Sequence, residues 1–344
     1  MIQARCALER RPRGLSLVEV LIGMVLSLFL IGVLIISYTS GRQSFRVQAN
    51  ASQIQEGGRF LMSQFESDLR MAGFRGCNGD FTTLTNTLVS PSSLANDFAT
   101  AVRGFEASGT TWTPTLDPLL AAASPPPEQG SDILTVHRSR GDALPLRVPY
   151  MTSNTDDLRI DAGSEIALGD LIMVSDCNAA AVFQTTNSDT GSTGILRHVT
   201  GSGTPGNASA NLGRRYNGDA QIHRVSTVTY YVGRSQNQSG TSSLWRVTGT
   251  GTPVEMVEGI DTMQVQYGVD SDGDRVIDRY LPASGVTDFS QVMSVQLTVV
   301  LVSVEDGLTR TTTSYELNGT IVTPSDRRAR RVFSTTVALR NKTL

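Results

Sequence analysis

Four aspartates, spaced two, two and four residues apart, stand in Asp270-Ser271-Asp272-Gly273-Asp274-Arg275-Val276-Ile277-Asp278. Calcium takes six to eight hard oxygen ligands, and an EF-hand loop supplies them at positions one, three, five, seven, nine and twelve. Asp270, Asp272, Asp274, the Val276 carbonyl and Asp278 fit the first five of those positions by spacing. Arg275 stands where that loop needs Gly, Leu281 stands where it needs a bidentate Glu, and no helix pair flanks the stretch. The competing reading is a solvated turn whose aspartates cap backbone amides, with Arg275 and Arg279 offsetting the repulsion among like charges.

A second carboxylate draws attention by its surroundings. Glu19 lies near the start of the run Gly14 to Ile36, which is otherwise free of charge. An ionised group inside a bilayer costs ~2.5–3.5 kcal/mol on insertion scales, so its default reading is functional; the plainer one places it at headgroup depth. Other chemistry is scarce. No GxSxG elbow, phosphate-cradling glycine loop, HExxH or CxxC occurs, so an enzyme is not expected. His137, His198 and His223 are scattered and read as structural or surface residues.

The elements that carry these groups begin with the apolar run. Leu15 to Ile36 is long enough to cross a hydrocarbon core, which needs roughly 20 helical residues. The leader before it carries Arg5, Arg10, Arg11 and Arg13 against Glu9. That basic flank places the N-terminus in the cytoplasm and the rest of the chain across the membrane. Such a segment is a cleaved secretory signal, a plain anchor or a prepilin-type signal. The residues after Ile36 show no A-x-A site for the first, and the second leaves Glu19 unexplained. Cys6 belongs to the leader, so Cys77 and Cys177 are a pair in a compartment that permits disulfides. A bond between them would tie the end of the helix to the domain beyond.

Beyond residue 36 the helical pattern continues. Ile54, Leu61, Phe65, Leu69 and Ala72 recur at three- and four-residue steps with Gly58 filling the gap, while the charged positions fall mostly off that stripe. A helix from Leu15 to Ala72 would extend ~87 Å. Gly41, Gly57 and Gly58 are either weak points or places of close packing, and Gly73 and Gly76 end the helix before Cys77. Residues 78–130 read as loops with short pieces, with Trp112 and Pro114 on the surface. From residue 131 onward, runs of β-branched and aromatic residues predict strands at 132–137, 171–174, 181–184, 195–199, 222–232, 243–247, 263–267, 291–304 and 331–339. Residues 201–219 read as an exposed loop. One long helix beside many antiparallel strands is an α+β architecture.

Gly14-Leu15-Ser16-Leu17-Val18-Glu19 closely resembles the class III signal of type IV pilins and type II secretion pseudopilins. The resemblance implies prepilin peptidase cleavage between Gly14 and Leu15, N-methylation of Leu15, and Glu19 as the fifth mature residue. Leu15 and Ser16 depart from the usual Phe and Thr. Arg70-Met71-Ala72-Gly73-Phe74-Arg75-Gly76-Cys77, the stretch Val257 to Gly268, the aspartate loop and Arg328 to Asn341 make the whole chain similar to PilW-type minor pilins. It implies a pilin-like fold: a leader of residues 1–14, a long helix over 15–76 with its transmembrane part at 15–36, and a β-rich periplasmic or extracellular head over 77–344. It also implies a single-pass inner-membrane protein that joins the pilus or its tip and helps to initiate assembly. Other minor pilins, the major pilin and the inner-membrane assembly platform would be its partners, and prepilin peptidase would process it. The cationic amine of Leu15 and the Glu19 carboxylate, on one or neighbouring subunits, would offset each other's burial and select one register between packed helices. No cofactor is required by the resemblance, and calcium is the one ion the aspartate loop suggests. The alternatives are a minor pseudopilin of type II secretion and a membrane-anchored surface binding module.

The 344 residues carry a formal charge of −3, which gives no support for nucleic-acid binding. Arg327, Arg328, Arg330 and Arg331 form a local basic cluster. It reads either as a contact for an acidic partner, DNA or a lipid surface, or as a turn and edge strand guarded against self-pairing.

Overall fold

A computed structural model describes residues 14, 16–76, 83–237 and 240–343. By internal packing the chain divides into residues 1–50 and 51–344. Helix α1 runs from Leu17 to Arg70 without a break, through Gly41, Gly57 and Gly58 alike. In the first unit its apolar side chains, from Leu17 to Ile36, are all exposed or nearly so. Hydroxyls there are satisfied within the helix itself: Ser27 Oγ donates to the Gly23 carbonyl at 2.7 Å and Thr39 Oγ1 to that of Ile35 at 2.9 Å. A segment that must shed water needs this kind of internal pairing.

The strands follow in chain order: β1 (Leu84–Asn86), β2 (Val102–Ser108), β3 (Thr111–Thr113), β4 (Ile133–Pro145), β5 (Leu158–Arg159), β6 (Leu171–Ser175), β7 (Ala180–Gln184), β8 (Ile195–Leu196), β9 (Gln221–Arg234), β10 (Ser242–Thr248), β11 (Val254–Val269), β12 (Arg279–Pro282), β13 (Val292–Val302), β14 (Tyr315–Leu317), β15 (Thr320–Val322) and β16 (Arg330–Ala338). The main sheet has the order β1-β7-β6-β9-β10-β11-β13-β16, with β4 also against β9 and β2 and β3 beyond it. Among the described residues its pairs are antiparallel except β1 with β7. The architecture is therefore α+β, a long helix with a mainly antiparallel sheet, as the sequence pattern implies.

The second half of α1 buries the stripe read from the sequence. Ile54, Leu61, Phe65, Leu69 and Ala72 join one core with Val228, Tyr230, Met263, Leu297, Val299 and Leu301. The glycines on that stripe serve contact. A methyl group on Gly57 would meet Val257 at 3.0 Å and Leu301 at 3.3 Å, and one on Gly58 would fall inside the Phe333 ring. After Arg70 the chain turns through Gly73 and Gly76, both at positive φ, where glycine carries no steric penalty.

A polar rivet lies inside this apolar seam. Asp68 is fully buried and receives Arg138 Nη1 at 2.7 Å, Tyr230 Oη at 2.5 Å and Gln64 Nε2 at 3.2 Å, with Arg246 Nη2 at 3.8 Å. Arg138, Tyr230 and Arg246 come from β4, β9 and β10, which are adjacent strands.

Several details differ from the sequence-based expectations. Trp112 is not on a surface loop: it lies in β3, half buried, and its Nε1 donates to the Ser131 carbonyl at 3.0 Å. Residues 201–219 are not a simple exposed loop. Leu212 and Tyr216 enter a second core with Ile172, Phe183 and Ile222. Buried Asn207 accepts from Gln184 N at 2.7 Å and donates to Gln184 O at 2.8 Å, doing for the end of β7 what a neighbouring strand would do. Of the strand expected at 195–199, only Ile195–Leu196 forms.

Removing one member of a buried ionic group strands the others, at a cost of about 3–5 kcal/mol. Asp68→Ala should therefore destabilise the chain by that order in denaturant unfolding of the detergent-solubilised protein. A loss below about 1 kcal/mol would show that the carboxylate is dispensable for seating the helix.

Candidate functional site

At the start of α1, Gly14 is exposed and Leu15 lies outside the described residues. Ser16 Oγ accepts from the Glu19 backbone N–H at 3.2 Å, and the Ser16 carbonyl accepts from Glu19 N and Val20 N. Ser16-Leu17-Val18-Glu19 is thus a helix start of the S-x-x-E kind. Glu19 contributes its backbone N–H to this start, and its charge in the first turn suits the helix dipole. Glu19 itself is exposed, and so are the apolar residues that follow. Over an 18-residue window the mean hydropathy is 2.9, so this helix is long and apolar enough to cross a membrane.

The aspartate loop joins β11 to β12, strands that pair from Gln266–Pro282 to Val269–Arg279. The Asp278 N–H donates to Val269 O at 3.0 Å and closes its base. One carboxylate oxygen each from Asp270, Asp272 and Asp278 lie within 4.8 Å of one another. Ligands at 2.3–2.6 Å from one calcium ion can be that far apart, so these three fit a shared ion. Asp274 does not join the group. Its Oδ1 accepts from Val276 N at 2.7 Å, and the Val276 side chain is exposed.

The same carboxylates also organise the turn. Asp270, nearly buried, accepts from Gly273 N at 2.7 Å and Arg275 N at 2.9 Å. Asp272 accepts from Asp274 N at 3.2 Å. Asp278 accepts from Ser271 N at 2.8 Å and from the Ser271 hydroxyl, and these bonds lower its pKa. Arg275 adopts φ +67°, the left-handed conformation that Gly would supply at the sixth position of a calcium loop. The departure seen in the sequence is therefore one of residue type, while the backbone there follows the glycine-like path.

Cys177 lies in the turn between β6 and β7, and Cys77 lies outside the described residues. The chain just before Cys77 does reach this turn. A methyl group on Gly76 would sit 2.9 Å from Ser175 Oγ and 3.5 Å from His223 Nε2, and Phe74 packs edge-on against His223 at 5.2 Å. His137, His198 and His223 are all buried rather than on the surface, and burial lowers the pKa of each.

Most of the basic cluster is engaged within the fold. Arg330 reaches Asp326 at 2.6 and 2.8 Å and Asp261 at 2.8 Å, which raises its own pKa and brings that of Asp326 down to about 2. Arg328 donates to the carbonyls of Ser303 and Val304. Arg331 stacks over Phe333 at 5.5 Å, at the end of β16, which is an edge strand.

Asp270→Ala removes the acceptor for two loop amides, so the domain should lose about 1–3 kcal/mol. Arg275→Gly relieves a non-glycine residue of its left-handed backbone and should be neutral or stabilising by up to about 1 kcal/mol. Thermal melts of both variants check the pair. An unchanged Asp270→Ala melt would place the loop's order elsewhere.

Comparison with known proteins agrees with this geometry. Residues 229–341 match the family model of PilW, the Type IV Pilus-assembly protein W. A solved type IV-like pilin from Thermus thermophilus aligns over 86% of this chain and 97% of its own, at 10% identity and a TM-score of 0.30, too loose a likeness to argue from. No curated protein matches. Residues 229–341 thus carry the pattern of the PilW family, in a chain that also has a membrane-length helix and a mainly antiparallel sheet.

Proposed function

We propose that this chain is a minor pilin that takes part in starting type IV pilus assembly, at the tip or in the priming complex. The observation that carries the reading is the PilW match over residues 229–341, supported by the signal at Gly14–Glu19. On this reading prepilin peptidase cuts between Gly14 and Leu15, Leu15 is N-methylated, and the exposed helix from Leu17 to Ile36 is the single membrane span. The head is then periplasmic before assembly, and Cys77 bonds Cys177. The partners are other minor pilins, the major pilin and the assembly platform. The role is structural, and no catalysis is assigned.

Intact-mass measurement of the purified chain tests three parts together: loss of residues 1–14, one added methyl group, and the two-proton deficit of a disulfide. A full-length mass in a peptidase-competent host would remove the pilin reading. Glu19→Ala should leave membrane insertion intact while cutting recovery of pili, or crosslinking to other minor pilins, by tenfold or more. Normal piliation in that variant would remove the register role from Glu19.

We further propose that Asp270, Asp272 and Asp278 hold calcium, with Asp274 and the Val276 carbonyl completing the set by loop adjustment. Titrating calcium into the purified protein should give saturable heat and a raised melting temperature, both abolished by Asp272→Ala. No heat and no thermal shift at millimolar calcium would leave the loop as a self-capped turn.

A further inference from the structure

The described residues hold a second group of acids, away from the aspartate loop and from α1. Asp132 lies just before β4 and is almost fully buried. It spans two parts of the sheet that are not neighbours in strand order. Its Oδ1 accepts from Ala107 N on β2 at 2.9 Å and its Oδ2 from Val265 N on β11 at 2.9 Å. Its own N–H donates to Met263 O on β11 at 2.8 Å. The sheet thus curls until the start of β4 meets β11, and Asp132 fastens the meeting.

Beside it sits Glu106, from β2: Phe105 pairs with Ile133 in the antiparallel β2–β4 ladder, so Glu106 and Asp132 are the next opposed positions, and each carboxyl acts on the other's titration. One Glu106 oxygen, Oε2, is buried without a hydrogen-bond partner. The Tyr267 hydroxyl, from β11, is also buried and unpartnered, and it presses on the backbone of Gly104, where a side chain would collide with it. Two carboxyl groups can hydrogen bond only if one of them keeps a proton, because ionised carboxylates are acceptors alone. Both ionised at this spacing would repel in poorly solvated surroundings.

We propose that Glu106 and Asp132 share one proton and form a proton-dependent clasp, closing β2 and β4 onto β11 while the proton is held and loosening when it leaves.

The groups that face the pair agree with this. From β11 comes Tyr267, a neutral phenol that brings no positive charge. From the 3-10 turn at Ala283–Gly285 comes the Ala283 amide, which pulls the Glu106 pKa down, against the burial that raises it. From β3, Thr113 lies across from Glu106 and carries no charge. Among the described residues, no cation is among the groups that act on either carboxyl. Burial foremost, and then the Asp132 charge, push Glu106 up to about 7. Burial pushes Asp132 up to about 6 against the pull of the Ala107 and Val265 amides. The two titrate as a pair. Carboxyl groups in an unfolded chain titrate near about 4, so the folded state binds more protons between roughly pH 4 and 7. The clasp's contribution is therefore whole in acid and is lost as pH rises through neutrality.

The test uses the full chain in detergent at pH 5.5 and pH 8. For the wild type the melting temperature should fall between the two. Hydrogen-exchange protection of the Ala107 and Val265 amides, corrected for intrinsic exchange, should fall about tenfold relative to Val299 in the same sheet. Glu106→Gln keeps a neutral hydrogen-bonding partner at both pH values. It should flatten the response and melt above the wild type at pH 8. Equal pH responses in the two proteins, or unchanged protection at Ala107 and Val265, would overturn the proposal. Should the variant not fold, infrared spectroscopy of the wild type decides: a protonated-carboxyl band that persists above pH 6 and bleaches toward pH 8 supports the clasp, and its absence ends it.

Discussion

The seating of α1 on the sheet depends on the buried charge of Asp68. Apolar packing alone would let a helix slide or roll by a residue at small cost, since Ile, Leu and Val surfaces are interchangeable at about the right volume. A buried carboxylate is not interchangeable. Tyr230 stands directly across from Arg246 in the β9–β10 ladder, and Arg138 lies on the other neighbour of β9. The sheet therefore holds the donors at fixed positions, and one axial and rotational position of α1 brings Asp68 to all of them. The net energy of such a group over an apolar substitute is small or even unfavourable. Its contribution lies in choosing one arrangement among several that are similarly well packed.

Once that position is set, the glycine pair has a clear purpose. Gly57 and Gly58 face Val257, Leu301 and Phe333, and the absence of side chains lets α1 approach β11, β13 and β16 closely enough for Ile54 and Leu61 to enter the core. Glycine within a helix costs about 0.5–1 kcal/mol relative to alanine. Here the loss is offset by burial of the neighbouring stripe, and the helix runs through both positions unbroken. The exposed first half obeys the opposite rule. From Leu17 to Ile36 its surface is apolar apart from Glu19, Ser27 and the glycines, and the Ser27 and Thr39 hydroxyls bond to their own helix.

These differences explain what could be read in the sequence. The stripe from Ile54 to Ala72 was legible because a helix repeats its face every three or four residues and charge avoids the buried side. Strands β6, β7, β9, β10, β13 and β16 were legible, within a residue or two, from β-branched runs bounded by turn residues. The long β4 and β11 were legible only in part, since Gly141 and Gly259 and the polar residues beside them interrupt the pattern. What did not show was anything resting on contacts between distant segments. Nothing local marks Asn207 as a substitute for a strand, Asp132 as a link between β2 and β11, or Asp68 as more than another polar helix residue. The aspartate loop was legible as a turn from its residue types. That three of its carboxylates converge, while Asp274 turns away to cap Val276, depends on a backbone path that spacing cannot supply.

The extent of the PilW match has a physical reading in this fold. Residues 229–341 carry Tyr230 and Arg246, which bind Asp68, and Val257, Leu301 and Phe333, which receive the glycine face of α1. They also carry the aspartate loop and the Arg330 junction with Asp261 and Asp326. The matched part is thus most of the cradle that holds the helix, with Arg138 as its one contribution to Asp68 from outside. The second core, built around Ile172, Phe183, Leu212 and Tyr216, lies wholly before residue 229. It meets the cradle through β9, whose first half pairs with β6 and whose second half pairs with β10. A single long strand therefore belongs to both cores. On the β10 side, strand pairing places Tyr230 opposite Arg246, six positions beyond the last residue paired to β6, Arg224.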